Sequence, residues 1–265
     1  MDIKAKLIVF PAIEALPPEV LIEADFLEAH FRNADHACME RAAHWVSLDA
    51  RQRIETGLFS KAELAHRLSP FVASNKTEFK DDSRTQLEYS FLNSNVFPRA
   101  ATLSADVPLG FMEFCLWLRA SLGDLEDGFR TRSVTTLPDR IGSKIVYPDA
   151  GSIAASLEEV AATWSRINEV SAGLAAAYCL VALMTVHPFL DGNGRLARVF
   201  FNWHLNDARV NKVYLPIYET SAISDGGYIL RVREAQYHNN WLPLLRYLNL
   251  ISERFFSTER QGSRS

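Results

Sequence analysis

The fifteen residues AGLAAAYCLVALMTV, Ala172–Val186, are apolar almost all the way round. A helix of that kind offers no face to water. It also falls short of the roughly 20 residues that a membrane-spanning helix requires, so it predicts a buried core helix. Such a helix needs cover, and the rest of the chain supplies helical patterns. From Val20 to Leu68 apolar residues mostly recur at helical spacing, as in Leu21, Ala24, Phe26, Leu27 and Phe31, then Met39, Ala42, Ala43 and Val46. The period returns between Leu87 and Leu125, with Phe111, Phe114, Cys115 and Leu118 on one face, and again over 153–168, 172–187, 193–205 and 228–254. One stretch differs. GFRTRSVTTLPDRIGSKIVYPDAGS carries β-branched residues around Pro138 and Gly142 and alternates over Ile141–Tyr147, which predicts a short hairpin. The fold class is therefore mainly α, a multi-helix bundle with a small β-hairpin flap.

The polar run SNKTEFKDDSR, Ser74–Arg84, has no apolar period and predicts an exposed connection. It divides the 265 residues into an N-terminal helical accessory region (1–75), a core domain (76–251) and a flexible tail (252–265). With 28 basic against 32 acidic side chains the net charge is -4, which argues against a nucleic-acid partner. Cys38, Cys115 and Cys179 lie far apart, in neither a disulfide framework nor a metal-site spacing. The apolar run Leu7–Phe10 is shorter than an export signal needs. The expectation is a cytoplasmic chain in a reducing compartment, with no membrane partner.

The core helix runs into HPFLDGNGRLAR, His187–Arg198. Pro188 disfavours a helical residue before it, so the helix should end at His187 and release the imidazole at its mouth. Taken alone, that histidine also suits the negative end of the helix dipole. Asp191-Gly192-Asn193-Gly194 tolerates positive φ and opens the next helix, so successive backbone N–H groups can converge into a phosphate-binding nest. An ordinary tight turn capped by Asp191 fits the same four residues. Arg195 and Arg198 weigh for the nest, because the first turn of a helix disfavours cations unless an anion is to be held there. Two guanidiniums beside amide donors suit a di- or triphosphate, and Asp191 suits a magnesium ion bridging it.

These residues resemble the motif of the Fic (filamentation induced by cyclic AMP) family, H-x-F-x-[D/E]-G-N-G-R-x-x-R, at every defined position. The likeness extends from about Leu87 to Ile251, with GFRTRSVTTLPDRIGSKIVYPD similar to the family's target-docking flap. Residues 1 to 75 match only loosely. The resemblance implies a protein adenylyltransferase that moves AMP from ATP to a Ser, Thr or Tyr hydroxyl of a target protein, itself included. It implies His187 as general base, amides of Gly192, Asn193 and Gly194 as the anion hole, Asp191 as the magnesium ligand, and Arg195 and Arg198 on the β- and γ-phosphates. Asn202, one turn past Arg198, could reach the nucleoside, against a structural hydrogen bond as the default for a mid-helix Asn. Ile145, Val146 and Tyr147 are the candidate docking edge, with ordinary packing as the alternative for Tyr147. A homodimer is compatible with the reading. Rivals are a Fic-fold enzyme with another nucleotide or phosphate-containing donor and a nucleotide-sensing module without transfer. The phosphorylating Doc-like subgroup replaces the second motif glycine, which is present here as Gly194.

Many members of the family carry an inhibitory helix, [S/T]-x-x-x-E-[G/N], whose Glu pairs with the second motif arginine. No segment matches in full. Glu55, Glu78 and Glu169 lie in partial matches and each reads first as a solvated surface Glu; of the three, Glu55 in RQRIETG is the candidate restraint on Arg198.

Overall fold

The computed structural model describes residues 3–5, 8–35, 37–60, 62–63, 88, 90–97, 109–121, 128–136, 144–206, 212–224 and 227–256. Helices α1 (Pro18–Asn33), α2 (Ala37–Ser47) and α3 (Ala50–Glu55) precede a π-helical turn at Leu92–Val96 and helix α4 (Leu109–Ser121). Then come α5 (Ile153–Asn168), α6 (Ala172–Val186), α7 (Asn193–Asn206), α8 (Ile217–Ile223), α9 (Gly227–His238) and α10 (Leu242–Phe256). The apolar helix is α6, and every residue of it except Ala172 and Met184 is buried. It packs against α7, α5, α1 and α9.

The start of α6 is fixed from outside its own segment. Ser171 caps it by accepting from the Leu174 N–H, and Glu28 of α1 accepts from the Ser171 hydroxyl at 3.1 Å and the Gly173 N–H at 2.8 Å. A carboxylate there meets two free donors and the positive end of the helix dipole. The helices cross so closely that a Cβ on Gly173 would stand 2.2 Å from the Ala24 carbonyl oxygen. Only glycine fits. The N-terminal helices are therefore not a separate layer: Leu27, Phe31, Cys38, Trp45 and Phe59 belong to the same buried cluster as the residues of α6 and α7.

The C-terminal expectations change in two ways. The single helix expected over 228–254 breaks at Asn239, which takes φ 52, and separates α9 from α10. Helix α10 then runs through Phe256 with Ser252, Phe255 and Phe256 buried, so the tail cannot begin at 252; residues 257–265 lie outside the described ones.

The flap pairs as the hairpin reading predicts. Thr136 N–H donates to Ile145 O at 3.0 Å and Tyr147 N–H to Val134 O at 3.1 Å, an antiparallel arrangement around the Thr135–Val146 bridge, while the connecting residues 137–143 lie outside the described ones. The other side of this strand was not anticipated. Strand β2 (Ile145–Val146) pairs in parallel with β1 (Ile3–Lys4) near the N-terminus, with Ile3 opposite Ile145 and Lys4 opposite Val146.

Candidate functional site

His187 ends α6 with φ 51 and ψ 57, in the left-handed region usually left to glycine or asparagine. A histidine held there costs about 1–3 kcal/mol of backbone strain, and such strain collects at functional sites. The cost is met by a clamp. Arg130, buried beside the flap, donates from Nε to the His187 carbonyl at 2.8 Å, from Nη1 to Arg132 O at 2.9 Å and from Nη2 to Pro148 O, while its own N–H reaches Pro188 O at 2.9 Å. One side chain thus ties the flap to the motif loop. The imidazole is stacked on Tyr147, with ring centroids 3.8 Å apart and planes 15° from parallel. Burial pushes its pKa down to about 4, and the Arg130 cation works in the same direction, against the Met184 carbonyl and Asp191. The ring is neutral at pH 7.

Beyond it, Asn193 holds the loop as a cross-brace: its Oδ1 accepts from Phe189 N–H at 2.9 Å and its Nδ2 donates to Phe189 O at 2.8 Å. Gly192 takes φ 83, and its carbonyl accepts the Leu196 N–H, opening α7. Asp191 accepts from Gly192 N–H at 2.7 Å and lies 3.7 Å from Arg195, with 58% of its side chain exposed. Arg198 is 7% exposed and sits 4.8 Å from the centre of the Tyr218 ring. A Cβ on Gly194 would come within 3.1 Å of Nη1 of Arg198, so the bare glycine leaves room for the guanidinium. The structure therefore gathers His187, Asp191, the loop amides, Arg195 and Arg198 at one helix junction.

Three expectations are corrected. Glu55 does not face Arg198: it bonds Arg51 at 2.9 Å on the surface of α3, with 60% of its side chain exposed. Glu169 is exposed at the end of α5, and Glu78 lies outside the described residues. The carboxylate on Arg198 is Glu88, 110 positions earlier and 1% exposed, which accepts from Nε at 3.1 Å and more closely from Nη2. Burial alone would weaken the guanidinium's hold on its proton, but Glu88 more than offsets this and raises its pKa.

Asn202 is also reassigned. Its Nδ2 donates to Arg198 O at 3.1 Å and Leu215 O at 3.2 Å, and its Oδ1 accepts from Leu215 N–H at 2.7 Å, so both ends are spent on backbone. Asn206 does the same for Val213, and together they fasten residues 213–215 along α7. Finally, the edge of Ile145 and Val146 expected to be open is covered by β1. Tyr147 serves neither as free edge nor as plain packing, since it is the platform under the imidazole.

Sequence reasoning missed Arg130, Glu88 and Glu219. Glu219 on α8 is fully buried, and burial first, then the charge of Glu88, push its pKa up to about 8, opposed by Arg53 and Arg198. These shifts fix how stability depends on pH. His187 and His204 keep folded values of about 4 against the ordinary 6.5, so the unfolded chain binds more protons and stability falls as pH drops through that window. Each ring contributes up to about 1.4 kcal/mol per pH unit. Glu219 has the opposite sign: its native proton is retained above the ordinary 4.5, so its contribution is lost as pH rises towards about 8. Melting temperatures should peak near the upper end of the histidine window, and Glu219→Gln should flatten the alkaline limb and steepen the part of the acid limb above the ordinary carboxylate value of 4.5, where its slope opposes that of the histidines.

Residues 112–205, which span α4 to the motif helix, match the model of the Fic/DOC family. That segment is where the chain is similar to the Fic/DOC family. Solved structures agree in fold. A Fic family protein from Desulfovibrio desulfuricans G20 is 16% identical over 91% of this chain and 74% of its own, with a TM-score of 0.58. A Fic domain containing signaling protein from Bacteroides thetaiotaomicron is 13% identical over 89% and 92%, with a TM-score of 0.51. Residues 134–508 of Fic-1 from C. elegans are 20% identical over 89% and 69%, also at 0.51. Among curated proteins none matches the chain significantly. The likeness to the Fic/DOC family supports a transferase role. No described helix is long and apolar enough to cross a membrane.

Proposed function

We propose that this Fic-fold transferase is a protein adenylyltransferase that takes AMP from ATP and places it on a hydroxyl of a target protein. The observation that carries the reading is the buried Arg198–Glu88 pair beside the loop amides. A buried guanidinium at a helix N-terminus is a position built for an anion, and here an internal carboxylate fills it. With ATP in place, the amides of Asn193 and Gly194 receive phosphate oxygens, joined by that of Gly192 once it leaves Asp191, and Arg195 and Arg198 hold the β- and γ-phosphates. The target hydroxyl oxygen then bonds to the α-phosphorus, its proton passes to neutral His187, and the bond from the α-phosphorus to the β-phosphate oxygen breaks to release pyrophosphate. Catalysis rests on positioning and charge stabilisation. The residues also fit a magnesium ion that arrives with the nucleotide, because that ion takes one or two carboxylates together with phosphates and waters, and Asp191 presents one partly exposed carboxylate at the loop. When bound, it would neutralise phosphate charge. Glu88 occupies the place of the γ-phosphate and restrains the isolated enzyme, the role first expected of Glu55.

Incubation with ATP labelled at the α or the γ position tests the reaction. Label from the α position on protein supports adenylyl transfer; label only from γ, or none, overturns it. The orientation of ATP has its own test in the double variant Arg198→Ala/Glu88→Ala, which leaves no buried charge unpaired. Calorimetry should show ATP binding weakened relative to Glu88→Ala by about 1.5–3 kcal/mol, the worth of a charge-assisted contact, with AMP binding unchanged. Equal losses for both ligands would remove Arg198 from the γ-phosphate.

A further inference from the structure

Strand β2 is a middle strand. One edge is paired with residues 134–136, and the other, where a target segment would add, is filled by β1, with Ala5 N–H donating to Val146 O at 2.8 Å. Behind β1 the chain is anchored: Ala5 and Ile8 are buried, and Phe10 packs on Tyr178 and Trp241 with centroids 5.3 and 5.2 Å away. The covered edge leads straight to the chemistry, since Tyr147 follows Val146 and stacks on His187. The occupying segment has a telling composition. Residues 1–46 contain no serine, threonine or tyrosine, and the first hydroxyl of the chain is Ser47, at the far end of α2.

We propose that β1 is a built-in pseudosubstrate: it takes the backbone hydrogen bonds that a target segment needs at the flap and offers no hydroxyl to modify. The proposal rests on the adenylyltransferase reading for its inhibitory meaning, but not for the occupancy itself. Strand addition draws its affinity from main-chain hydrogen bonds. The pairing covers only Ile3–Lys4 against Ile145–Val146, so it is weak enough to yield. Because it is tethered, it still competes at an effective concentration on the order of millimolar. A loose extended peptide loses that competition, whereas a folded target that brings further contacts of its own displaces β1. The strand thereby acts as a threshold on which proteins are modified.

Ala5→Pro in the full-length chain deletes the donor to Val146 O and leaves the anchors at Ile8 and Phe10 in place. A fluorescein-labelled peptide of sequence IKAKLIVF, residues 3–10, is the probe. By anisotropy it should bind Ala5→Pro at least tenfold more tightly than the unaltered protein, and Ala5→Gly, which loosens the strand but keeps the N–H, should shift in the same direction by less. Equal binding to all three proteins overturns the proposal. Transfer of label from α-labelled ATP to protein should rise severalfold in Ala5→Pro and fall back when unlabelled peptide is added, with ATP affinity unchanged. Tighter peptide binding with measurable but unchanged transfer overturns the pseudosubstrate role. Tighter peptide binding with no transfer in any variant supports the occupancy and overturns the adenylyltransferase reading instead.

Discussion

Glu88→Gly should raise transfer from ATP at least tenfold, the factor that about 1.4 kcal/mol supplies. Glu88 and Arg198 are both nearly inaccessible to water, and a carboxylate bonded to Nε and Nη2 of the guanidinium leaves no room for a phosphate on the same donors. On the proposed mechanism, ATP would have to break this buried ion pair before its terminal phosphate could settle. Removing Glu88 deletes that competition. It also leaves Arg198 buried without its carboxylate, a situation that typically costs about 3–5 kcal/mol. The variant should thus melt at a lower temperature than the wild type when ligand-free and recover on adding ATP, more than the wild type does, because the γ-phosphate supplies the missing charge. Glu55→Gly and Glu169→Gly change exposed side chains and should transfer at the wild-type rate. If Glu88→Gly transfers no faster than the wild type, the restraint is not the carboxylate on Arg198.

On the proposed mechanism, His187→Ala should abolish transfer while leaving ATP affinity close to the wild type, because the imidazole would act on the target hydroxyl and not on the phosphates. Loss of a general base costs about a hundred- to ten-thousandfold in rate. As the proposed base, the same ring would set the acid limb of the rate profile. With its pKa held at about 4, His187 stays unprotonated well below the ordinary 6.5, so kcat/KM should remain level from neutrality down to about pH 5 before falling. Tyr147→Ala opens the stacked face to water, which removes part of the burial that depresses the pKa, and should move that limb upward, whereas Tyr147→Phe keeps the stack and should not. A His187→Ala enzyme with wild-type transfer would end the general-base assignment.

The sequence made some of this legible and hid the rest for physical reasons. The motif loop could be read because its donors lie within one helix end and one helix start, so composition and spacing carry the geometry. The α6 core could be read because an all-apolar helix has one stable environment. Glu88 was hidden: its contact with Arg198 spans 110 positions, and in SRTQLEYS Arg84 and Tyr89 stand where the inhibitory pattern has Ser/Thr and Gly/Asn. What signal it had was an acid followed closely by the apolar Phe91 and Leu92, both buried. Glu55 looked better on pattern, but an Arg four residues before it on the same helix face satisfies it at the surface. Asn202 was open to misreading because its partner, the 213–215 segment, has no period to announce that it runs along α7. Strand β1 is too short to register as a strand at all; nothing in IKA predicts that it seeks β2.

The close crossing at Gly173 gives α6 the mechanics of a lever. Fifteen residues at about 1.5 Å each make a rod about 22 Å long, gripped at one end by Glu28 and Ala24 of α1 and bearing His187 at the other. Tilting that rod by about 5° at the grip swings its tip by about 2 Å. A displacement of about 1 Å at a reacting group is enough to cost about a hundredfold in rate. A methyl group added at residue 173, a full helix length from the imidazole, should therefore cut the proposed transfer by about a hundredfold or more, which a rate measurement on Gly173→Ala checks.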